Sequence, residues 1–231
     1  MMRLQTILGV VCLCVAQILF AVEKLPANLL SLESREGAVL LQQDLHQNTT
    51  GLFAHFTTQQ TVTYCGVASA VMVLNAMGVA APVDPTYTPY TYFTQANFFN
   101  DKVSAIIPAK AVSKSGMTLS QLAHAMETYG VKATPFFANK MDIKAFRKMA
   151  TQALSQDQYV TVNFLRTALG QQGGGHHSPL AAYDEKADRF LLLDVARYKY
   201  PAYWVKTDDL WNAINTMDGE LSRGLIIISR Q

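Results

Sequence analysis

The segment Cys65-Gly66-Val67-Ala68-Ser69-Ala70-Val71-Met72-Val73-Leu74-Asn75-Ala76-Met77 constrains the fold more than any other. It has helical length, stops at Gly78 and is apolar or small on every side. A helix without a polar face must be enclosed by other elements, so this one is expected at the centre of a core. Its first residue is a cysteine, preceded by the polar approach Gln59-Gln60-Thr61-Val62-Thr63-Tyr64. The unpaired N–H groups and the macrodipole at a helix N-terminus favour negative charge, which biases the thiol toward the thiolate that attacks carbonyls.

The rest of the chain says what could enclose such a helix. Leu32 to Leu45 reads as a short amphipathic helix leading into a loop around Asn48-Thr49-Thr50-Gly51, and Pro82, Pro85 and Pro89 mark an irregular stretch. Thr118 caps a helix running to Tyr129, closed by Gly130, and Met141 to Leu154 is a further helix. Then the period changes. Tyr159 to Phe164, Leu180 to Tyr183, Phe190 to Val195 and Leu225 to Ser229 are short β-branched and aromatic runs, with one more helix, Thr207 to Met217, N-capped by Thr207. Helices first and antiparallel strands second predict an α+β fold, with the Cys65 helix packed on the sheet. Met72, Met77, Met117 and Met126 fall at core positions of the helices.

The first 21 residues read as a secretory signal peptide: Arg3, an apolar run from Ile7 to Ala21, and Leu19-Phe20-Ala21 before the cut. The run falls short of the about 20 residues needed to span a bilayer, so no stable membrane association is expected after its removal, and the product is exported to the periplasm or medium. A single domain over 22–231 remains. Loss of the leader takes Arg3 from the 19 basic side chains and none of the 17 acidic ones, and so near-neutral a balance argues against nucleic acid. Cys12 and Cys14 also leave, which makes Cys65 the one remaining cysteine. An exported protein with one thiol has no internal disulfide, and that thiol is conspicuous as a reactive group.

Two distant segments supply partners for a nucleophile. Gly173-Gly174-Gly175-His176-His177-Ser178-Pro179 offers imidazoles, and Phe190-Leu191-Leu192-Leu193-Asp194 ends an apolar run with a carboxylate. Cysteine, then histidine, then an acidic residue is the chain order of papain-like thiol enzymes. Neighbouring side chains of an extended segment point to opposite faces, so only one of His176 and His177 can meet Cys65. One Cys and two adjacent His make no zinc pattern, so no resident metal or cofactor is expected.

Tyr64-Cys65-Gly66-Val67-Ala68-Ser69, Gly175-His176-His177-Ser178-Pro179 and, most specifically, Leu193-Asp194-Val195-Ala196-Arg197-Tyr198-Lys199-Tyr200-Pro201 with Trp204-Val205 resemble phytochelatin synthase from about Phe53 to Ser229. The resemblance implies a papain-like fold and transfer of a γ-glutamylcysteinyl group from glutathione. Cys65 is then the nucleophile, His176 the base, at the fixed position of the family's Gly-His-any-Ser-Pro pattern, and Asp194 its orienter. Gln59, six residues before Cys65, has the papain-like spacing for an oxyanion donor, with Gln60 the alternative if the turn shifts by one. Arg166, Arg197, Asp218 and Arg223 match charged positions of the family and are candidates for holding the two carboxylates and one ammonium of glutathione. Lys199, Tyr198, Tyr200, Tyr203 and Trp204 are assigned to packing.

The family's eukaryotic members add a cysteine-rich C-terminal extension that this sequence lacks, which is similar to the short prokaryotic type, associated mainly with removing glycine from glutathione. Cadmium or zinc enters as a thiolate complex of the substrate, and a homodimer is left open. Two competing readings use the same residues: a papain-like peptidase or bacteriocin-processing protease, and a non-enzymatic module binding thiols or soft metals.

Overall fold

The computed structural model describes residues 23–42 and 46–231. The leader read over 1–21 lies outside the described residues, as does the end of the helix expected over 32–45. Among the described residues no helix is long and apolar enough to cross a membrane.

The Cys65 helix, α3 (Cys65–Ala76), is buried at every residue from Cys65 to Leu74. It is enclosed as its composition requires. Before it come β1 (Leu30–Ser31), α1 (Arg35–Leu41) and α2 (Gln47–Ala54); after it come α4 (Asp101–Ile106), α5 (Ala109–Ser115) and α6 (Leu119–Glu127). Then follow β2 (Val131–Phe137), α7 (Ile143–Ser155), β3 (Tyr159–Leu165), β4 (Gly175–Asp184), β5 (Arg189–Leu192), β6 (Tyr203–Lys206), α8 (Thr207–Ile214), the small hairpin β7 (Met217–Asp218) and β8 (Leu221–Ser222), and β9 (Gly224–Arg230). Seven strands form one sheet in the order β1-β6-β5-β4-β3-β9-β2, every pair antiparallel.

The sheet divides the core by the alternation of its strands. Leu191 of β5 packs with α3 and α6 on one face, whereas Phe190 and Leu192 pack with Phe146 of α7 and Leu210 of α8 on the other. The α+β expectation therefore holds, with the cysteine helix lying against the antiparallel sheet.

Several local readings are corrected. Asn48-Thr49-Thr50-Gly51 is helical, within α2. Asn48 and Thr49 are buried and bonded across the fold, Asn48 Nδ2 donating to the carbonyls of Leu154 (3.1 Å) and Gln158 (2.8 Å) and Thr49 Oγ1 to that of Ala181 (2.6 Å). Gly51 admits the neighbouring helix, since a Cβ there would lie 3.3 Å from both Ala76 Cβ and the Tyr159 hydroxyl. β2 escapes a sequence reading because Pro135 lies within it; the strand is at the sheet edge, where proline is tolerated. α4 and α5 are too short to show a period. Lys206, not Thr207, caps α8; Thr207 is its first residue, and its hydroxyl bonds Asp188 Oδ1 at 2.5 Å. Thr118 caps α6 as expected, within a reciprocal capping box with Gln121.

Candidate active site

The site forms where the N-terminus of α3 meets the beginning of β4 and the turn after β5. Cys65 opens α3, so its own N–H has no intrahelical acceptor, and Tyr64 before it provides no side-chain cap. His176 enters on β4 opposite Phe164 of β3, whose ring meets the imidazole edge-on at 5.5 Å. Asp194 lies two residues beyond β5 in a turn tied down on both sides. Val195 N–H donates to Ser178 Oγ (3.3 Å), and its carbonyl accepts from Gln59 N–H (2.8 Å).

Three side chains then connect in series. His176 Nε2 bonds Asp194 Oδ1 at 2.9 Å, which leaves Nδ1 for the Cys65 thiol, the hydrogen-bond partner of the ring on its other side. Burial would push the Cys65 thiol up, but the charge and hydrogen bond of His176, with the backbone N–H groups of His177 and Gly66, more than offset it and hold the pKa below its ordinary value. Burial likewise opposes the charged imidazole, and Asp194 with Cys65 outweighs it, so His176 is shifted up. The two directions favour a thiolate–imidazolium pair. Asp194, wholly buried, is held well below the usual carboxylate range: burial opposes this, and His176 and Arg166 overcome it.

His177 turns elsewhere. Its Nε2 bonds the Met117 carbonyl at 2.9 Å, and burial lowers its pKa to about 4, so the ring is neutral at physiological pH and takes no proton from Cys65. The two histidines are parted as an extended segment requires.

Arg166 is not free to bind substrate. It is 4 % exposed and forks onto Asp194 with two bonds of 2.8 Å, while a third, of 2.7 Å, reaches Gln171 Oε1. It supports the carboxylate instead; the sequence shows an arginine at a strand end but not which way it turns. Asp218 and Arg223 do reach the cleft beside Cys65, a space of about 160 Å³ also lined by Asn163 and Gly175. Arg223 Nη1 lies 3.1 Å from Asp218 Oδ2, and Asn163 joins both, accepting from Arg223 (2.8 Å) and donating to Asp218 (3.0 Å). Arg197 is exposed and stands apart from them, 4.7 Å over the Phe56 ring in a second cleft of about 550 Å³ that Tyr198 also borders.

Gln59 is buried next to the site, its Nε2 donating to the Thr61 carbonyl (2.8 Å) and to the Tyr198 hydroxyl (3.0 Å). Gln60 is exposed, with its backbone N–H on Gln95 Oε1 at 2.9 Å. Asn163 and Gln171 escape the sequence reading, and Tyr198, assigned there to packing, is instead 51 % exposed with its hydroxyl on Gln59. An amide within β3, whose other residues are apolar apart from Tyr159 and Thr161, is a usable signal for Asn163; no local signal marks Gln171. Among the described residues no group of three or more His, Cys, Asp or Glu side chains is placed to hold a metal ion.

The model of the family described as phytochelatin synthase matches residues 20–225. The chain belongs to the phytochelatin synthase family. Relatives include glutathione gamma-glutamylcysteinyltransferase 3 of Lotus japonicus (32 % identical over 85 % of this chain and 41 % of the relative) and glutathione gamma-glutamylcysteinyltransferase 1 of Triticum aestivum (33 %, over 86 % and 40 %). The glutathione gamma-glutamylcysteinyltransferase of Schizosaccharomyces pombe is 26 % identical over 86 % of this chain and 48 % of its own length. The chain thus spans less than half of these family members. Among solved structures, a C39-like peptidase from Bacillus anthracis resembles it at a TM-score of 0.44 and 13 % identity, over 76 % of this chain and 94 % of that one.

Proposed function

We propose that the chain is a glutathione-acting thiol acyltransferase and hydrolase. The observation that carries this is the bonded series Cys65, His176 and Asp194 opening onto the same cleft as the Arg223–Asp218 pair. The γ-glutamyl end of glutathione carries a carboxylate and an ammonium on one carbon, and an adjacent guanidinium and carboxylate complement that pair. The names of the family's relatives support the same substrate.

Cys65 thiolate attacks the Cys–Gly carbonyl. As the tetrahedral intermediate collapses, His176 donates a proton to the departing glycine amine and a γ-glutamylcysteinyl thioester remains. The now neutral ring takes a proton from an incoming water or amine, whose attack frees γ-glutamylcysteine or a longer peptide and restores the thiolate. Asp194 holds the ring and balances the imidazolium. Water at about 55 M outcompetes millimolar glutathione unless a bound acceptor gains effective molarity, and the cleft under Arg197 is where we place such an acceptor. Glutathione with cadmium or zinc on its thiol enters as substrate.

Mass spectrometry after brief mixing with glutathione is expected to show Cys65 carrying glutathione minus glycine. Absence of that adduct, with a casein or peptide library cleaved instead, would hand the site to the peptidase reading. Gly175 supplies a second check. A Cβ there would lie 2.5 Å from Arg223 Nη1, and that guanidinium is already pinned by Asn163 and Asp218. Gly175→Ala is therefore expected to raise KM for glutathione about tenfold with a smaller change in kcat. Unchanged steady-state kinetics would remove Arg223 from substrate binding.

A further inference from the structure

His177 stands at the variable position of the Gly-His-any-Ser-Pro pattern, so the family motif gives it no role. The ring is 2 % exposed, burial keeps it neutral, and Nε2 is bonded to the Met117 carbonyl. A carbonyl only accepts, so the hydrogen is on Nε2 and Nδ1 keeps a bare lone pair. Nδ1 is buried and has no hydrogen-bond partner among the described residues. Such an acceptor is destabilising, and an apolar side chain would fill the same wall without that loss. The ring borders the cleft beside Cys65, together with Asn163, Asp218 and Arg223. Its Cδ2 edge is the one toward α3, where a Cβ built on Gly66 would meet it at 3.7 Å, and the Nδ1 edge is turned away from that helix. Asn163 is its direct partner across the β3–β4 ladder, so the two side chains share one face of the sheet, but the Asn163 amide is engaged by Arg223 and Asp218.

We propose that His177 is a specificity-determining residue whose Nδ1 accepts the hydrogen of the amide joining the γ-glutamyl group to the cysteinyl residue of the substrate. The inference rests on the glutathione reading above. Placement selects that hydrogen. At one end the main-chain N–H of His177 meets the Cys65 thiol, where the scissile carbonyl must sit. At the other end Asn163, beside the ring, holds the Arg223–Asp218 pair that complements the γ-glutamyl carboxylate and ammonium. A substrate anchored at both ends lays the cysteinyl residue and its amide along His177. That amide N–H is the one strong donor in the stretch, since a thiol donates weakly. The contact is a hydrogen bond, and no proton changes hands. It separates the amide from an analogue without the N–H, because the analogue leaves the buried lone pair unmatched.

Glycine release from glutathione is compared with release from its depsipeptide analogue, in which an ester oxygen replaces that N–H and the Cys–Gly bond is kept. Wild type should prefer glutathione at least about tenfold in kcat/KM. His177→Phe should lose about tenfold on glutathione, mainly in KM, and its preference between the two compounds should shrink by a similar factor. Taking the ratio of the two preferences cancels any intrinsic difference in reactivity between amide and ester. His177→Leu, with a smaller side chain, carries the same expectation should the phenyl ring not fit, and the wild-type comparison needs neither variant. A wild type that releases glycine equally from both compounds leaves glutathione as the substrate and overturns this inference. A preference that persists unchanged in His177→Phe and His177→Leu also overturns it, giving the ring a role in packing alone. No glycine release from glutathione would refute the substrate reading, and this inference with it.

Discussion

Cys65→Ser is expected to abolish turnover, with a loss of about 10⁴-fold or more, while the folded protein stays within about 1 kcal/mol of wild type. The two halves of this expectation come from the same surroundings. The side chain is 7 % exposed at the head of the most enclosed helix, so an isosteric replacement disturbs no packing. The chemistry depends on charge. His176 and the N–H groups of His177 and Gly66 stabilise a thiolate against the effect of burial, and they cannot do the same for a hydroxyl, whose pKa lies far higher. Iodoacetamide should label wild-type Cys65 rapidly well below the ordinary thiol pKa, down to the acid side of the coupled Cys–His titration. Retained turnover in Cys65→Ser, or labelling only above pH 8, would remove the nucleophile from this account. A gross loss of folding would instead mark Cys65 as a packing residue.

The legibility of this site in the sequence differs from residue to residue for physical reasons. Cys65 was visible because an all-apolar helix must be buried, and a cysteine at its first residue is a departure from mere packing. His176 was separated from His177 by family pattern and strand alternation, and the structure parts their rings accordingly. The strands β3, β5 and β9 showed as apolar runs because both faces of the sheet are covered. Elements whose evidence lies in tertiary contacts stayed hidden. α2 looks like a loop until Asn48 and Thr49 find carbonyls across the fold, and β2 contains a proline that only an edge position accommodates. Side-chain direction was the least legible. Arg166, Arg197 and Arg223 each stand near a strand end, yet one turns inward to Asp194, one lies over Phe56 and one faces the Cys65 cleft.

That inward turn makes Arg166→Met the second large effect expected. The side chains of Arg166 and Asp194 are 5 % and 0 % exposed, so the substitution would leave a buried carboxylate short of two charge-assisted bonds. Removing one member of such a pair typically costs about 3–5 kcal/mol, and a carboxylate no longer held in place should lower kcat roughly 10²-fold through misorientation of His176. The pH dependence has a definite sign. Asp194 has a folded pKa below its unfolded value, so its stabilisation is present above about pH 4 and is lost as pH falls toward the native value. The stability gap between wild type and Arg166→Met should therefore be widest near neutrality and narrow in acid, where wild type loses this contribution and protonation relieves the stranded carboxylate of the variant. Asp194→Asn added to Arg166→Met should recover much of the stability without restoring activity, because it removes the unpaired charge and the orienting carboxylate together. Denaturant unfolding between pH 2 and 7.5 measures both expectations. A gap independent of pH, or a double variant no more stable than Arg166→Met, would show that Arg166 acts by filling space beside Tyr200, whose ring it covers at 5.2 Å, and not by charge.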